Sequence, residues 1–301
     1  MIRTSILVLL VLWMSCACAV AADTPLRVLV WDEQQPEQKQ AYGDKFLGET
    51  IAAHLATVPG VTVTSVALSS PEQGFDEATL DRTDVLILWA HKRSREVDDA
   101  HAERVVSRVL AGRLSLLALH SAHWAKPFVR LRQERAKVDA LAALPAADRA
   151  TAHWIYLNEN PLYQGVKADT PLTPFTERAG DDWRLALPRC VFPAWRADGA
   201  ASHVTTLLPE HPIARGLPAT WDIAQSEMYG GAFHVPKPDT VVFSERWDKG
   251  ESFALSGSIW QVGKGRVFYF RPGHETYPVY RQAQPLLVID NAVHWLAAPT
   301  P

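Results

Sequence analysis

Residues 116–126 read LLALHSAHWAK, and the rest of the chain is organised around this stretch. Its first four residues are apolar and lead directly into His120, Ser121 and His123. A short apolar run that ends in polar residues is typical of a buried strand in a parallel sheet. In open α/β sheets, ligands bind beyond the carboxyl ends of the strands. We therefore expect His120 to lie at a ligand site, on the turn that leaves this strand.

Two other apolar runs end in the same way. Residues 267–270 read VFYF and are followed by Arg271, His274 and Glu275, and residues 85–89 read VLILW and are followed by His91. The carboxyl ends of parallel strands meet at one edge of the sheet. Three strands that each deliver a histidine to this edge are the main sequence evidence for a functional site.

The order of predicted elements indicates an α/β fold. Apolar runs alternate with segments of helical spacing, which favours a mostly parallel sheet with helices on both faces, in three layers. The sequence Gly263-Lys264-Gly265 predicts the turn of a hairpin that joins two strands near the end of the chain. The predicted strands are 26–31, 61–68, 85–89, 114–119, 204–208, 241–247, 252–261 and 265–270, and the predicted helices include 42–56, 97–110, 133–149 and 285–296.

The first 22 residues differ from the rest and are predicted to be a secretory signal peptide. A basic Arg3 precedes a short apolar run, and small residues lead to a cleavage site after Ala22. We expect export to the periplasm and no stable membrane insertion after cleavage. An uncleaved membrane anchor is one alternative. A lipoprotein acylated at Cys16 or Cys18 is another, although neither cysteine has a leucine three residues before it.

Residues 23–301 are predicted to form a single domain with an insertion at about 132–202. This insertion is rich in Pro and Trp after residue 151 and has no clear period, and we expect it to form a lid or a wall of the substrate site. The net charge of −3 gives no indication of a nucleic-acid partner. Cys190 is the only cysteine of the mature chain, so no internal disulfide is expected, and we interpret it as a packed residue.

The polar residues at the strand ends suggest metal-dependent chemistry. Imidazole and carboxylate ligands with one open position are typical of catalytic zinc. The candidate metal ligands are His91, His120, His274 and Glu227. The alternative is that each histidine is an ordinary hydrogen-bonded group in a crevice. A divalent metal, with zinc as the expected ion, is the predicted cofactor.

Three further residues are candidates for the catalytic step, namely Ser121, His123 and Glu275. Ser121 follows a strand as a nucleophile would, but it lacks the flanking glycines of the G-x-S-x-G turn. Aromatic rings beside acids and histidines suit a sugar, because its C–H face packs on a ring while its hydroxyls form hydrogen bonds. Core packing is the alternative for these rings. The predicted substrate contacts are Trp31, Trp124, Lys126, Tyr229, Arg271 and Tyr277.

The strand-end motifs described above resemble those of the ThuA (trehalose-utilisation) family. The resemblance implies a flavodoxin-like fold similar to that of class I glutamine amidotransferases. His120 and Ser121 would then occupy the place of the nucleophile in that fold, and His274 and Glu275 that of a later His-Pro-Glu. Since no cysteine stands at the nucleophile position, amidotransferase chemistry is not expected. The matching stretches are 28–31, 83–91, 96–99, 119–126, 211–213, 227–230 and 268–278.

The resemblance also implies carbohydrate metabolism, linked to glycosides that a partner dehydrogenase oxidises to a 3-keto form. One hypothesis is that a metal held by His120, His274 and Glu227, with His91 or His123 as a further ligand, polarises the ketone. Glu275 or His123 would remove the adjacent proton, which allows elimination or isomerisation. The alternatives are a non-catalytic exported sugar-binding protein and a metal-free hydrolase that uses Ser121. The 132–202 segment is longer than in shorter family members, and the export signal also departs from them, so the identity of the sugar substrate is left open. A homo-oligomer is possible, and the sequence does not determine the oligomeric state.

Overall fold

The computed structural model describes residues 25–160 and 165–299. The predicted signal peptide, with Cys16 and Cys18, lies outside these ranges, so export remains a prediction. Within the described ranges, no helix combines the length and the apolar character needed to cross a membrane.

The described residues form fourteen strands and seven α-helices. In chain order the strands are β1 (Leu26–Asp32), β2 (Val61–Ala67), β3 (Val85–Trp89), β4 (Ser115–Leu119), β5 (Trp154–Leu157), β6 (Phe175–Ala179), β7 (Asp182–Ala186), β8 (Ala194–Arg196), β9 (Ser202–Thr206), β10 (Thr220–Ile223), β11 (Met228–Gly230), β12 (Thr240–Arg246), β13 (Ser252–Val262) and β14 (Gly265–Phe270). The helices are α1 (Lys39–Tyr42), α2 (Leu47–Leu55), α3 (Glu77–Asp81), α4 (Asp99–Leu110), α5 (Lys126–Ala143), α6 (Ala146–Arg149) and α7 (Ala283–Ala297).

The central sheet has nine strands in the order β10-β9-β12-β13-β14-β4-β3-β1-β2. The five strands β2, β1, β3, β4 and β14 are parallel, as predicted, and the remaining four extend the sheet in antiparallel fashion. The change of direction occurs at the predicted hairpin between β13 and β14, where Val262 pairs with Gly265. A two-residue hairpin can join only antiparallel strands, and Gly263 allows it by adopting a φ of +58°.

The alternation of side chains along β4 explains why residues 116–119 are continuously apolar. Leu116 and Ala118 pack on the face covered by α4 and α5, whereas Leu117 and Leu119 pack on the face covered by α2 and α7. Every residue of this strand is buried, and its one polar residue, Ser115, donates its hydroxyl to the carbonyl oxygen of Leu296 at 2.9 Å. A strand that is covered on both faces favours apolar side chains on both, as expected for a three-layer α/β fold.

The register of the central strands brings their carboxyl ends to the same level. Leu119 of β4 pairs with Trp89 of β3 and with Phe270 of β14, and each of the three is the last residue of its strand. The segments that follow these strands therefore emerge side by side at one edge of the sheet.

The segment predicted as an insertion contributes one small sheet and one strand of another. Helix α5 begins at Lys126 and continues through Arg132, so the predicted helix 133–149 starts earlier and ends at Ala143. Strands β5, β7 and β6 form a separate three-stranded sheet, and Leu185 of β7 packs with Ala136 and Ala140 of α5. Strand β8 pairs with β11 in a two-stranded antiparallel sheet, which we call the ribbon.

Candidate functional site

His120 occupies a strained turn directly after β4. Its φ is +54°, in the left-handed region that non-glycine residues rarely adopt, and a short 3₁₀ helix, His120–Trp124, follows. Such a conformation costs about 1–3 kcal/mol and persists where the surroundings enforce it. The strand–turn–helix geometry resembles that of a nucleophile elbow. His120 therefore stands at the position that the nucleophile occupies in such an elbow.

Three imidazoles meet beyond the strand ends. The ring centroids of His91 and His120 are 5.2 Å apart, those of His91 and His274 are 5.2 Å apart, and those of His120 and His274 are 5.6 Å apart. We call these three residues the histidine cluster. They follow β3, β4 and β14, so the register of the sheet brings together side chains that are far apart in the sequence.

Glu227 approaches the histidine cluster from the segment before the ribbon strand β11. Among the described residues, no donor reaches its buried Oε2 atom, which lies 3.2 Å from His120 Nε2. His120 Nδ1 lies 3.3 Å from the carbonyl oxygen of Arg271 and 3.2 Å from the hydroxyl oxygen of Tyr229. When Nδ1 carries the proton and donates to this carbonyl, Nε2 carries a lone pair and lies beside a second acceptor. Such a pair is favourable only when a proton or a cation lies between the two atoms.

Burial shifts the pKa values of both His120 and Glu227. Burial, with the neighbouring His91 and His274, lowers the pKa of His120 well below its usual value. Burial also raises the pKa of Glu227, although His274, His91 and Arg271 oppose the shift. Both changes follow from the removal of charge from water, and they favour either a shared proton or a bound cation over two separate charges.

Glu275 holds the histidine cluster from the outside. Its carboxylate accepts a hydrogen bond from His91 Nδ1 at 2.5 Å and lies 2.9 Å from the ammonium group of Lys92. Burial alone would raise the pKa of Glu275, but His91, His274 and Lys92 outweigh it, and this pKa lies well below its usual range. Glu275 is therefore a fixed anion that orients His91, and its low pKa makes it a weak base.

Within residues 25–160 and 165–299, two groups of histidine and glutamate side chains have ligand atoms that all lie within 4.8 Å of one another. One group is His91, His120 and Glu227, and the other is His91, His274 and Glu275. In the second group, His91 already donates to Glu275, and His274 Nδ1 accepts the backbone N–H of Thr276 at 3.2 Å. The first group has a buried oxygen without a donor, and it therefore fits a metal better. His274 is left with an Nε2–H that can donate.

His123 is buried and lines the cavity that is described below. Its Nδ1–H donates to the carbonyl oxygen of Cys190 at 2.5 Å, which leaves the lone pair on Nε2. Burial lowers the pKa of His123 to about 3, so the ring is neutral at pH 7. Ser121 Oγ lies 2.6 Å from the hydroxyl group of Tyr229. The partner of Ser121 is thus a phenol rather than the imidazole that activates a serine nucleophile.

A cavity of about 460 Å³ opens over these groups. His120 forms no part of its surface because it lies fully buried behind Glu227. The predicted residues that line the cavity are His91, Ser121, His123, Trp124, Glu227, Tyr229, His274 and Glu275.

Two predicted substrate contacts lie elsewhere in the fold. Trp31 is fully buried, stacks on Phe75 with ring centroids 5.5 Å apart, and donates its indole N–H to the carbonyl oxygen of Gln73. Lys126 is the first residue of α5 and pairs with Asp99 at 3.0 Å. The prediction that these two side chains contact the substrate is corrected: Trp31 packs in the core, and Lys126 forms a surface ion pair.

Arg271 and Tyr277 also do not line the cavity. Arg271 is fully buried, where it pairs with Glu245 and donates to the backbone carbonyl of Glu227. Tyr277 donates its hydroxyl to the carbonyl oxygen of Ala197 at 2.9 Å and packs against the ring of His274. Both side chains support residues of the cavity wall, so their predicted role as substrate contacts is replaced by a positioning role.

The cavity also contains residues that the sequence analysis missed. Lys92 and Thr276 follow directly after predicted site residues, and this adjacency was the available signal. Phe192, Trp195 and Ala197 come from the irregular Pro- and Trp-rich segment, in which no periodicity marks a functional side.

Comparison with known proteins identifies the family. The family model described as ThuA, trehalose utilisation, matches residues 27–296. The comparison with curated proteins finds no match.

Several solved structures resemble this fold. A ThuA-like protein from Parabacteroides merdae aligns with 16% identity and a TM-score of 0.55, covering 91% of this chain and 90% of its own. A ThuA-like protein from Bacteroides uniformis aligns with 14% identity and a TM-score of 0.55, covering 93% and 94%. A GMP synthase protein from Thermoplasma acidophilum aligns with 12% identity and a TM-score of 0.42, covering 91% and 94%. At these identities the likeness concerns the fold alone.

Proposed function

The chain belongs to the ThuA family, which is described as acting in trehalose utilisation, and on this premise we propose that it is a metal-assisted enzyme that acts on 3-keto glycosides as a lyase or isomerase. The observation that carries the proposal is the meeting of His91, His120 and Glu227, with a buried carboxylate oxygen that has no hydrogen-bond donor. A site built only to bind neutral hydroxyl groups does not require such a costly arrangement.

The residues of this group fit a divalent metal, and zinc is the expected ion. Two imidazoles and a carboxylate are a common catalytic zinc ligand set, and they leave a position for substrate. The hydrogen bonds from His91 to Glu275 and from His120 to the Arg271 carbonyl fix which ring nitrogen faces inward. Such outer partners are typical of metal-binding histidines. When bound, the metal would polarise the ketone of the sugar.

The remaining polar residues are assigned to binding and proton transfer. His123 presents an unprotonated Nε2 and is the proposed base for the proton next to the ketone, because both carboxylate oxygens of Glu275 are already paired with His91 and Lys92. Burial lowers the pKa of His123 to about 3, so this transfer requires a strongly polarised ketone, and the Cys190 carbonyl stabilises the imidazolium that results. The Nε2–H of His274 is available to donate to a sugar oxygen. Loss of the adjacent proton then allows the bond between the next carbon and the glycosidic oxygen to break, with that oxygen taking its proton from the His123 imidazolium, or allows the proton to return at a different carbon.

Aromatic side chains form the other wall of the cavity. Phe192 stacks on Tyr229 with ring centroids 4.1 Å apart, and Trp124 lines the cavity beside them. Such rings pack against the C–H face of a sugar and exclude water from the reacting atoms. This wall supports a carbohydrate as the substrate class.

Metal analysis and kinetics of His120→Ala and His274→Ala test the proposal. We expect His120→Ala to lose bound zinc and at least about 100-fold in kcat/KM, because a ligand is removed. His274→Ala should retain the metal and lose activity through weaker substrate polarisation. His203→Ala is the matched control, since this partly exposed histidine of β9 pairs with Asp222 and Asp248 far from the cavity wall.

The outcomes separate the three functions that the sequence leaves open. Full metal content and activity in both His120→Ala and His274→Ala would reject the metal-assisted enzyme. Saturable sugar binding by a wild-type protein that never turns over a 3-keto glycoside would instead indicate a binding protein. A covalent adduct with a serine-directed reagent would favour the hydrolase, which the hydrogen bond of Ser121 to Tyr229 disfavours.

A further inference from the structure

Trp195 is unusual among the residues that line the cavity because its side chain is largely open to solvent. It is 65% exposed, whereas its cavity neighbours Phe192 and Tyr229 are buried. The other aromatic residues of the wall pack against one another, but the indole at this position has a free face. Because Trp195 lines the cavity, its exposed face is available to a ligand that enters it.

The backbone that carries Trp195 is fixed on both sides. Trp195 pairs in register with Tyr229 across the ribbon, and Arg196 forms ion pairs with Asp198 and Glu251. The next residue, Ala197, accepts the hydroxyl of Tyr277. The exposure of the indole is therefore not the result of a loose loop. A backbone that is held in place before binding loses little conformational freedom when a ligand packs on the side chain that it carries.

The lining of the cavity combines polar and aromatic side chains. It contains the imidazoles and carboxylates that would engage the reacting ring, and Trp195 is the most exposed of its aromatic residues. Lys92 and Thr276 provide hydrogen-bonding groups on the same cavity surface. A flat ligand face that stacks on the indole while its edges reach such groups has the chemistry of a sugar ring.

We propose that Trp195 forms a second binding subsite, which packs against the second sugar ring of a disaccharide while the first ring lies against the histidine cluster. This inference rests on the proposed function, for which the resemblance to the family implies a trehalose-type disaccharide, and assigns the residue that contacts the second ring. An aromatic aglycone shares the flat face and is separated from a sugar by the experiment.

Binding constants for three probes test the subsite. The probes are a 3-keto glucose disaccharide, the methyl glycoside of 3-keto glucose and its phenyl glycoside, each titrated calorimetrically. Trp195→Ala should reduce the selectivity for the disaccharide over the methyl glycoside by about tenfold, and Trp195→Phe should retain most of it, because stacking on an aromatic ring is lost only in the first. Phe175→Ala is the control, since Phe175 is an exposed ring of β6 in the separate sheet.

The outcomes distinguish this inference from the proposed function. A wild-type protein that binds none of the probes overturns the proposed function and the subsite together. A wild-type protein that prefers the disaccharide, with the same preference in Trp195→Ala, overturns the subsite alone. A loss of selectivity for the phenyl glycoside without a loss for the disaccharide assigns the position to an aromatic aglycone and overturns the second sugar ring.

Discussion

The histidine cluster and the ribbon build the same cavity by different means. The three histidines follow parallel strands that end in register, so the main-chain ladder of the sheet sets their relative positions. The ribbon consists of two three-residue strands and is held mainly by side-chain contacts of Arg196, Tyr277 and Arg271. The three histidines of the proposed reactive site thus stand on the sheet, while Trp195 stands on an element that sequence change can adjust with less effect on the core.

Arg271 connects the two regions. It follows β14, as His274 does, but its guanidinium group pairs with Glu245 and donates to the carbonyl oxygen of Glu227 just before the ribbon. The hydroxyl groups of Ser202 and Ser256 also donate to Glu245, so the buried carboxylate is fully satisfied. One arginine therefore determines where the Glu227 segment sits relative to the strand ends.

Removal of this connection is expected to have the largest effect. Arg271→Met leaves Glu245 buried and unpaired, and we expect a loss of about 3–5 kcal/mol in the free energy of unfolding. Chemical denaturation measures it. Arg135→Met is the matched control, because Arg135 pairs with Asp239 nearer the surface, and it should cost less than about 1 kcal/mol.

A double variant, Arg271→Met with Glu245→Leu, keeps the test informative if the single variant does not fold. It should recover much of the lost stability, because no buried charge remains, but it should still bind substrate weakly since Glu227 has lost its support. Equal stability of Arg271→Met and wild-type protein would show that the two regions are independent.

Arg271 also illustrates how far the sequence predicts the site. Apolar runs that end in polar residues placed His91, His120 and His274 at one edge, since strand burial and register depend on short-range pattern. The direction of a long side chain does not depend on short-range pattern. Arg271 points away from the cavity because Glu245, on another strand, pairs with it.

The ribbon and the antiparallel part of the sheet were harder to predict for a related reason. Strands of three residues carry no measurable periodicity, and the pairing of β8 with β11 joins segments more than thirty residues apart. The antiparallel half was recognisable only at the Gly263 hairpin, because local turn residues encode it. Elements set by local pattern are thus predictable, whereas elements set by tertiary contacts are not.

Asp32, at the end of β1, gives the second prediction. Its carboxylate accepts hydrogen bonds from the backbone of Gln34 and Gly48 and from Gln38, but burial dominates and raises its pKa from 3.8 to about 6. A carboxyl group with a raised pKa in the folded state favours the folded protein at low pH. Its contribution should therefore fall by at most about 3 kcal/mol as the pH rises from about 4 to 6.

The pH dependence of stability is expected to differ between the sheet, which carries Asp32, and the ribbon. On the ribbon side, the hydrogen bond from Arg196 lowers the pKa of Glu251, so that ion pair weakens as the pH falls. Unfolding curves of wild-type protein and Asp32→Asn at pH 4.5, 5.5 and 6.5 measure the Asp32 effect as a difference in slope. Parallel pH profiles for the two proteins would contradict the raised pKa.

Two glycines give the smallest and most selective comparison. Gly231 follows β11 with a φ of +86°, and a Cβ atom there would lie 2.4 Å from Pro193 Cγ, just before β8. Gly263 turns the hairpin with a φ of +58°, and a Cβ atom there would lie 2.6 Å from the carbonyl oxygen of Leu110. Each Gly→Ala variant should lose about 1–2 kcal/mol of stability from the left-handed backbone alone.

Substrate binding should separate the two variants although their stabilities are similar. Gly231→Ala pushes against Pro193 and displaces the ribbon, so we expect the dissociation constant for a disaccharide to rise a few-fold. Gly263→Ala strains the hairpin between β13 and β14, which lies away from the strand ends that carry the histidine cluster, and should leave that constant unchanged. Calorimetric titration of both variants at a temperature where each is folded makes the comparison. If both bind like the wild-type protein, the ribbon tolerates displacement and recognition depends on the sheet edge alone.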